Sequence, residues 1–206
     1  MSDNSTETGA ITAYSIYSVQ QKKRKKINPI ENVYPPLPHE KYDVIYADPP
    51  WDYGGKMQYD KTTIKSENKD FEKTIFLSSA EFKYPTLKLK QLKELDVPSI
   101  MADDCLLFMW TTGPQMANSI ELGKAWGFEY KTIAFVWDKM VHNPGRYTLS
   151  QTEFVLAFKH GRFPHPRGAR NIRQMIEFHR GKHSVKPVKV LDGITQMFPT
   201  QKKIEL

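Results

Sequence analysis

One cysteine in 206 residues excludes a disulfide framework and a thiolate metal cluster, since each needs a second thiol. A reducing compartment is the natural inference. No apolar run approaches the roughly 20 residues of a membrane-spanning helix, and Met1–Ala10 is polar and acidic where a secretory leader would begin basic and continue apolar. Internal repeats are also missing. Acid is the scarcer charge, 23 Asp+Glu against 30 Lys+Arg, for a net +7. That excess suits a polyanionic partner or plain solubility, so its distribution has to decide. What the chain does have is a core: 39% hydrophobic and 12% aromatic residues exclude wholesale disorder, and the length fits one domain.

Residues 1–27 read as a flexible basic arm, poor in large apolar side chains and ending in Lys22-Lys23-Arg24-Lys25-Lys26. Residues 28–206 read as the folded domain. Pro29, Pro35, Pro36 and Pro38 make its first segment irregular. Tyr42–Ala47 is a short β-rich apolar run, a buried strand stopped by Asp48-Pro49-Pro50. From Asp52 to Ser79 the polar composition shows no sustained period and reads as a long flexible loop, a length that usually serves function. A helix is expected from about Lys88, with Leu89, Leu92 and Leu95 spaced by three, ending before Pro98. Leu106–Trp110 reads as a strand. Gly113-Pro114 opens a helix carrying Met116, Ile120 and Lys124 at i,i+4 spacing, closed by Gly127. Tyr130–Trp137 and Glu153–Phe158 read as strands, with Asn171–Phe178 as a third candidate. Pro187 starts a last helix bearing Val190, Leu191, Ile194 and Met197, and Lys203–Leu206 closes as a strand. Strands alternating with helices predict an α/β three-layer sheet. Trp110 and Trp137, inside apolar strands, read as core.

The most specific feature is Asp48-Pro49-Pro50-Trp51 directly after a buried strand, where function gathers in open α/β sheets. The prolines stiffen the turn, and Pro49 has no N–H, so the backbone there offers carbonyl acceptors. A carboxylate beside carbonyls and an aromatic plane is a receptor for a flat amine, and adenine's exocyclic amine fits. The bland alternative is a strand-ending turn with an exposed acid and a packed indole. Between His160 and Lys186 lie seven Arg or Lys and four His against a single acid, Glu177, interleaved with Pro and Gly. That makes a basic loop system suited to phosphate, with ordinary surface charge as the alternative. The histidines lack a ligand spacing, so no metal is expected.

Asp48-Pro49-Pro50-Trp51, then Tyr84-Pro85-Thr86-Leu87, Leu107–Gly113, Trp126-Gly127-Phe128, His183–Pro187 and Lys203-Ile204-Glu205-Leu206 together resemble the adenine-N(6) methyltransferases. That family is typified by the seventy-kilodalton S-adenosylmethionine-binding subunit of the eukaryotic messenger-RNA enzyme. The resemblance runs over residues 42–206. The segment after Trp51 and the Arg170–Gln174 string look more like the bacterial and phage DNA-modifying, restriction-modification branch. It implies a Rossmann-like sheet with helices on both faces, in permuted order, the catalytic motif early and the donor strand late.

The resemblance also implies a catalytic set of Asp48, Pro49, Pro50, Trp51 and Tyr84, in which Asp48 and the Pro49 carbonyl hold the amine and the two aromatics line the adenine slot. S-adenosylmethionine is the implied methyl donor, met by Asp48, His183, Lys186 and Glu205; Lys186 would take its carboxylate and Glu205 its ribose hydroxyls. Arg167, Arg170, Arg173, Arg180 and Lys182 would bind nucleic acid, with DNA favoured over RNA, in a bacterial or phage-host cytoplasm. Homodimer and heterodimer both stay open. Family members continue past the Glu-Leu with Phe, a small residue and Arg, whereas this chain ends at Leu206, so two readings stay open, a fragment of a longer domain or an incomplete donor site. Two other functions stay open: an RNA adenosine methyltransferase, and a catalytically silent nucleic-acid-binding partner of an active subunit.

Overall fold

A computed structural model describes residues 30–31, 33–53, 61–65, 72–76, 85–144, 147–162, 166–181 and 185–206. The expected 1–27 arm lies outside them. The chain divides into two units, Met1–Pro35 with Asp52–Lys88, and Pro36–Trp51 with Leu89–Leu206.

Within the first unit, the expected structureless loop contains a hairpin: β2 (Lys61–Lys65) pairs antiparallel with β3 (Glu72–Phe76), Thr63 opposite Thr74 and Lys65 opposite Glu72. Thr62-Thr63-Ile64 and Thr74-Ile75-Phe76 are β-branched or aromatic runs, which outweigh the polar composition around them.

The second unit is built on a six-stranded sheet. Its strands are β1 (Tyr42–Ala47), β4 (Met101–Thr111), β5 (Glu129–Pro144), β6 (Leu149–His160), β7 (Met175–Glu177) and β8 (Lys203–Glu205). They lie in the order β7-β5-β6-β4-β1-β8. β1 runs parallel to β4 and β8, and β5 parallel to β7, while β6 is antiparallel to both its neighbours. Five strands therefore end at one edge of the sheet, and β6 begins there.

Helices cover both faces. On one face Val44 and Tyr46 of β1, Phe108 and Trp110 of β4, Trp137 of β5 and Val155 of β6 pack with Val190, Ile194 and Phe198 of helix α3 (Val188–Met197) and its end. Ten residues are marginal as an isolated helix, so burial of these side chains, about 1.5–3 kcal/mol each, holds α3 in place. Pro187 stands at its N-cap, as expected. Helices α1 (Leu89–Leu92) and α2 (Met116–Ala125) belong with β4 and β6: Trp126 Nε1 donates to the Leu92 carbonyl, Ser119 Oγ to Thr111 Oγ1, and Gly123 lies against the Phe158 ring.

Several elements differ from expectation. The α-helical turn at Leu89 stops at Leu92, because Pro98 is accommodated in a separate 3-10 turn, Val97–Ile100. On α2 the buried residues are Ser119, Leu122 and Gly123; Met116 and Ile120 are only partly buried and Lys124 is exposed, since a small face lets the helix approach Phe158. Gly127 closes that helix with φ 86°, as its position required. The Asn171–Phe178 strand shrinks to Met175–Glu177, while β5 and β6 run well past their expected ends. Cys105 lies inside β4 and is fully buried, and burial pushes its thiol pKa up to about 12. Trp110 and Trp137 are core residues, as expected.

Candidate functional site at the strand ends

β1 delivers Asp48 to the edge where five strands end. Val44–Ala47 is buried on both faces, so the carboxylate follows immediately after a fixed strand. The turn is tied on one side by Asp48 N–H donating to the Leu206 carbonyl at 2.9 Å, and Leu206 N–H donates back to Tyr46 at 2.8 Å. Glu205, opposite Tyr46 in the register, thereby stands beside Asp48 on the neighbouring strand and is exposed. The Pro49 carbonyl is not fully free, contrary to expectation. It accepts the Trp51 N–H at 2.9 Å, which leaves one lone pair for a ligand. Trp51 is 5% exposed, and its indole Nε1 is a buried donor with no partner among the described residues.

Asp48, Trp110, Trp137 and Glu153 share the face roofed by α3. Tyr46 and Asp48 are two apart on β1, Trp110 opposes Val155, and Trp137 opposes Glu153, two residues before Val155 on β6. Just before α3, Lys186 completes a row of alternating charge. Its Nζ is 3.1 Å from Asp48 Oδ2 and 3.3 Å from Glu153 Oε2, and it lies 5.2 Å from the Trp110 ring centre. Glu153 Oε1 in turn receives Lys139 Nζ of β5 at 3.5 Å. The row dries inward: the side chains of Asp48, Lys186, Glu153 and Lys139 are 37, 22, 17 and 8% exposed. Trp110 Nε1 donates to the Tyr46 hydroxyl beneath it.

Burial sets the electrostatics. It raises the Asp48 carboxyl above the usual aspartate value against the pull of Lys186, and Glu153 and Glu205 add to the rise. Burial opposes the Lys186 ammonium too, yet the Asp48 and Glu153 carboxylates together hold its pKa above that of an ordinary lysine. Burial pushes the Tyr46 phenol up to about 12, so it stays neutral.

The structure thus brings Asp48, Pro49, Trp51, Lys186 and Glu205 to one edge. Tyr84, Lys182 and His183 lie outside the described residues. The basic segment is not one patch. Arg167 precedes Gly168 and Ala169, whose N–H groups cap the Met197 and Gln196 carbonyls at the C-terminal end of α3, about 15 Å along a ten-residue helix from Lys186. Arg170 and Arg173 are exposed on the way to β7. Arg180 is held at the functional edge, its N–H donating to the Lys139 carbonyl and its guanidinium to Asn143 at 3.4 Å. A shallow cavity among Phe128, Lys159 and His160 belongs to the other edge, where β6 ends. Sequence reading missed Glu153 and Lys139. Their one signal is phase: each is a charge two residues from a core side chain on the same face of its strand, Val155 and Trp137.

A mixed six-stranded α/β sheet with helices on both faces is the architecture of the Rossmann-like methyltransferase class. The MT-A70 family model matches residues 42–206, and the chain belongs to that family. It is similar to the Type II methyltransferase M.MunI of Mycoplasma sp, with 74% identity over 196 residues, 95% of this chain and 84% of that protein. It is also similar to the N(6)-adenosine-methyltransferase catalytic subunit METTL3 of Homo sapiens and to an N(6)-adenosine-methyltransferase MT-A70-like protein of Drosophila melanogaster. Each of these two is 28% identical over 99 residues, 48% of this chain and 12% of the relative.

Proposed function

We propose that the strand-end site transfers a methyl group from S-adenosylmethionine to the exocyclic amine of adenine in DNA, as a site-specific modification enzyme. The observation that carries the reading is the Asp48 carboxylate at the end of β1, 3.1 Å from the Lys186 ammonium, with Glu205 exposed on the neighbouring strand β8. The residues present fit the donor: Lys186 offers a cation for its carboxylate, Glu205 accepts from its ribose hydroxyls, and the buried Trp51 Nε1 has no acceptor among the described residues. When bound, the donor supplies an electrophilic methyl on a sulfonium.

Adenine's amine is a poor nucleophile because its lone pair is delocalised into the ring. Asp48 and the remaining lone pair of the Pro49 carbonyl accept its two N–H groups, hold the nitrogen toward the methyl, and stabilise the positive charge that develops there. A carboxyl whose pKa is already raised is also a better resting place for the proton the amine must lose. Orientation supplies the remainder of the acceleration, for which about 7–11 kcal/mol is within reach of aligned reactants. The base leaves any duplex first, at a cost of a few kcal/mol. Arg180, held at the same edge, contacts backbone phosphate.

The test is a labelled-methyl assay on single-stranded DNA, duplex DNA and RNA followed by nucleoside analysis. N(6)-methyladenine in DNA is the expected product. Label confined to RNA would replace the substrate, and no transfer to any of the three would leave a nucleic-acid-binding partner.

A further inference from the structure

Glu153 lies between two ammonium groups, one on each carboxylate oxygen, and is largely dry. Buried ion pairs of this kind stabilise little, and apolar residues of the same volume would pack the strand ends as well, so the arrangement needs a functional reason. The neighbouring contact supplies it. Lys186 occupies the same Asp48 carboxylate that must accept the amine. A lysine held by Asp48 alone would have no second carboxylate to anchor it during an exchange of partners. Held by two carboxylates and resting over Trp110, it can release one and keep the other.

We propose that Glu153 is a positioning residue on which Lys186 pivots: in the free protein Lys186 bridges Asp48 and Glu153, and when the donor's carboxylate arrives it exchanges Asp48 for that carboxylate while Glu153 keeps hold of it. Asp48 is thereby released to the amine only after the donor is in place. Lys139 balances Glu153 from the inner side, so the pivot keeps its charge throughout the exchange. The exchange breaks and makes ion pairs only, and no covalent bond changes. It rests on the reading of Lys186 as the donor-carboxylate contact.

Calorimetry separates the two. S-adenosylhomocysteine carries the carboxylate and methylthioadenosine lacks it. Wild type is expected to bind the former about tenfold more tightly, the worth of one charged hydrogen bond. Glu153→Gln is expected to reduce that preference to about twofold while methylthioadenosine binding is unchanged. A wild type without the preference overturns the donor-site reading itself. A preference kept in full by Glu153→Gln overturns the pivot alone, and equal weakening of both ligands assigns Glu153 to structure and overturns it too.

A measurement on the wild type keeps the proposal falsifiable if that variant does not fold. On the DNA sequence where methylation is mapped, S-adenosylhomocysteine is expected to tighten binding of the adenine duplex severalfold over the same duplex with purine, which lacks the amine, at the target. Methylthioadenosine should not. Equal enhancement by both ligands, or by neither, overturns the coupling between donor binding and release of Asp48.

Discussion

Replacing Asp48 by alanine or asparagine should separate catalysis from folding, and the structure sets both magnitudes. For stability, Lys186 keeps Glu153 when Asp48 is lost, and the Asp48 side chain is 37% exposed, so the missing pair contributes at most about 1 kcal/mol. Burial already penalises the charged carboxylate, which offsets part of that. The net change at neutral pH should stay within about 1 kcal/mol, read from the urea midpoint. For rate, removing one preorganised group aimed at developing charge costs about 10²–10³-fold. Single-turnover transfer from labelled donor measures it. The sign of the pH effect follows from the raised carboxyl: the folded protein binds that proton more tightly than the unfolded chain. Asp48 therefore adds stability at acid pH, below the unfolded value, and this increment is lost as pH rises through the folded one. Asp48→Asn should remove the acid increment and leave stability at pH 8 near wild type. Transfer retained within tenfold would show that the amine is held elsewhere. A loss above about 2 kcal/mol would make Asp48 a structural residue.

Arg180→Ala should lower the slope of log affinity against log salt for duplex DNA by about 0.9, one phosphate contact, and Arg167→Ala should leave it unchanged; equal falls would refute the division of the basic segment between the two ends of α3. Gly123→Ala places a Cβ 2.4 Å from the buried Phe158 ring. Overpacking at about 1–3 kcal/mol exceeds the gain of up to about 1 kcal/mol in helix propensity. A lower urea midpoint with unchanged slope is expected, and a stabilised variant would show that β6 yields freely. Cys105, buried with its thiol pKa pushed up to about 12, should resist a disulfide reagent at pH 8 in the folded protein and react in urea. Prompt labelling of the native state would contradict the position of β4 inside the sheet.

What the sequence reveals and what it hides divide along a physical line. Tyr42–Ala47, Leu106–Trp110 and the helix after Pro187 announce themselves because burial on both faces, or on one helical stripe, leaves a periodic record in adjacent residues. The stop at Asp48-Pro49-Pro50 is equally local, since proline chemistry acts on its own backbone and its neighbour's. Trp51 shows the limit of such reading: the tetrapeptide places it, but does not foretell the burial that leaves its indole N–H without an acceptor among the described residues. Similarly, nothing in the order of Arg167 and Arg180 indicates that Gly168 and Ala169 cap the far end of α3 while Arg180 docks on Lys139.

The ionic row is the clearest case of information that exists only once strands are paired. Asp48, Glu153, Lys139 and Lys186 are scattered over 139 positions, and no local rule joins them. Registers do: Trp137 opposite Glu153 and Trp110 opposite Val155 align three strands, and α3, pinned by Val190 and Ile194, drops Lys186 onto the result. Asp48 ends, and Glu153 begins, an alternation whose other members pack in the core, Val44-Tyr46-Asp48 on β1 and Glu153-Val155-Ala157 on β6. A hydrophobic alternation that ends in a charge on the same face marks a strand reaching past its core into a site. It picks out Asp48, Glu153 and Lys139 together, where motif matching picks out Asp48 alone. Glu153 therefore needs no motif to be found: the pleat that buries Val155 points its side chain to the same side as Lys186, and the short distance between them is a consequence of packing.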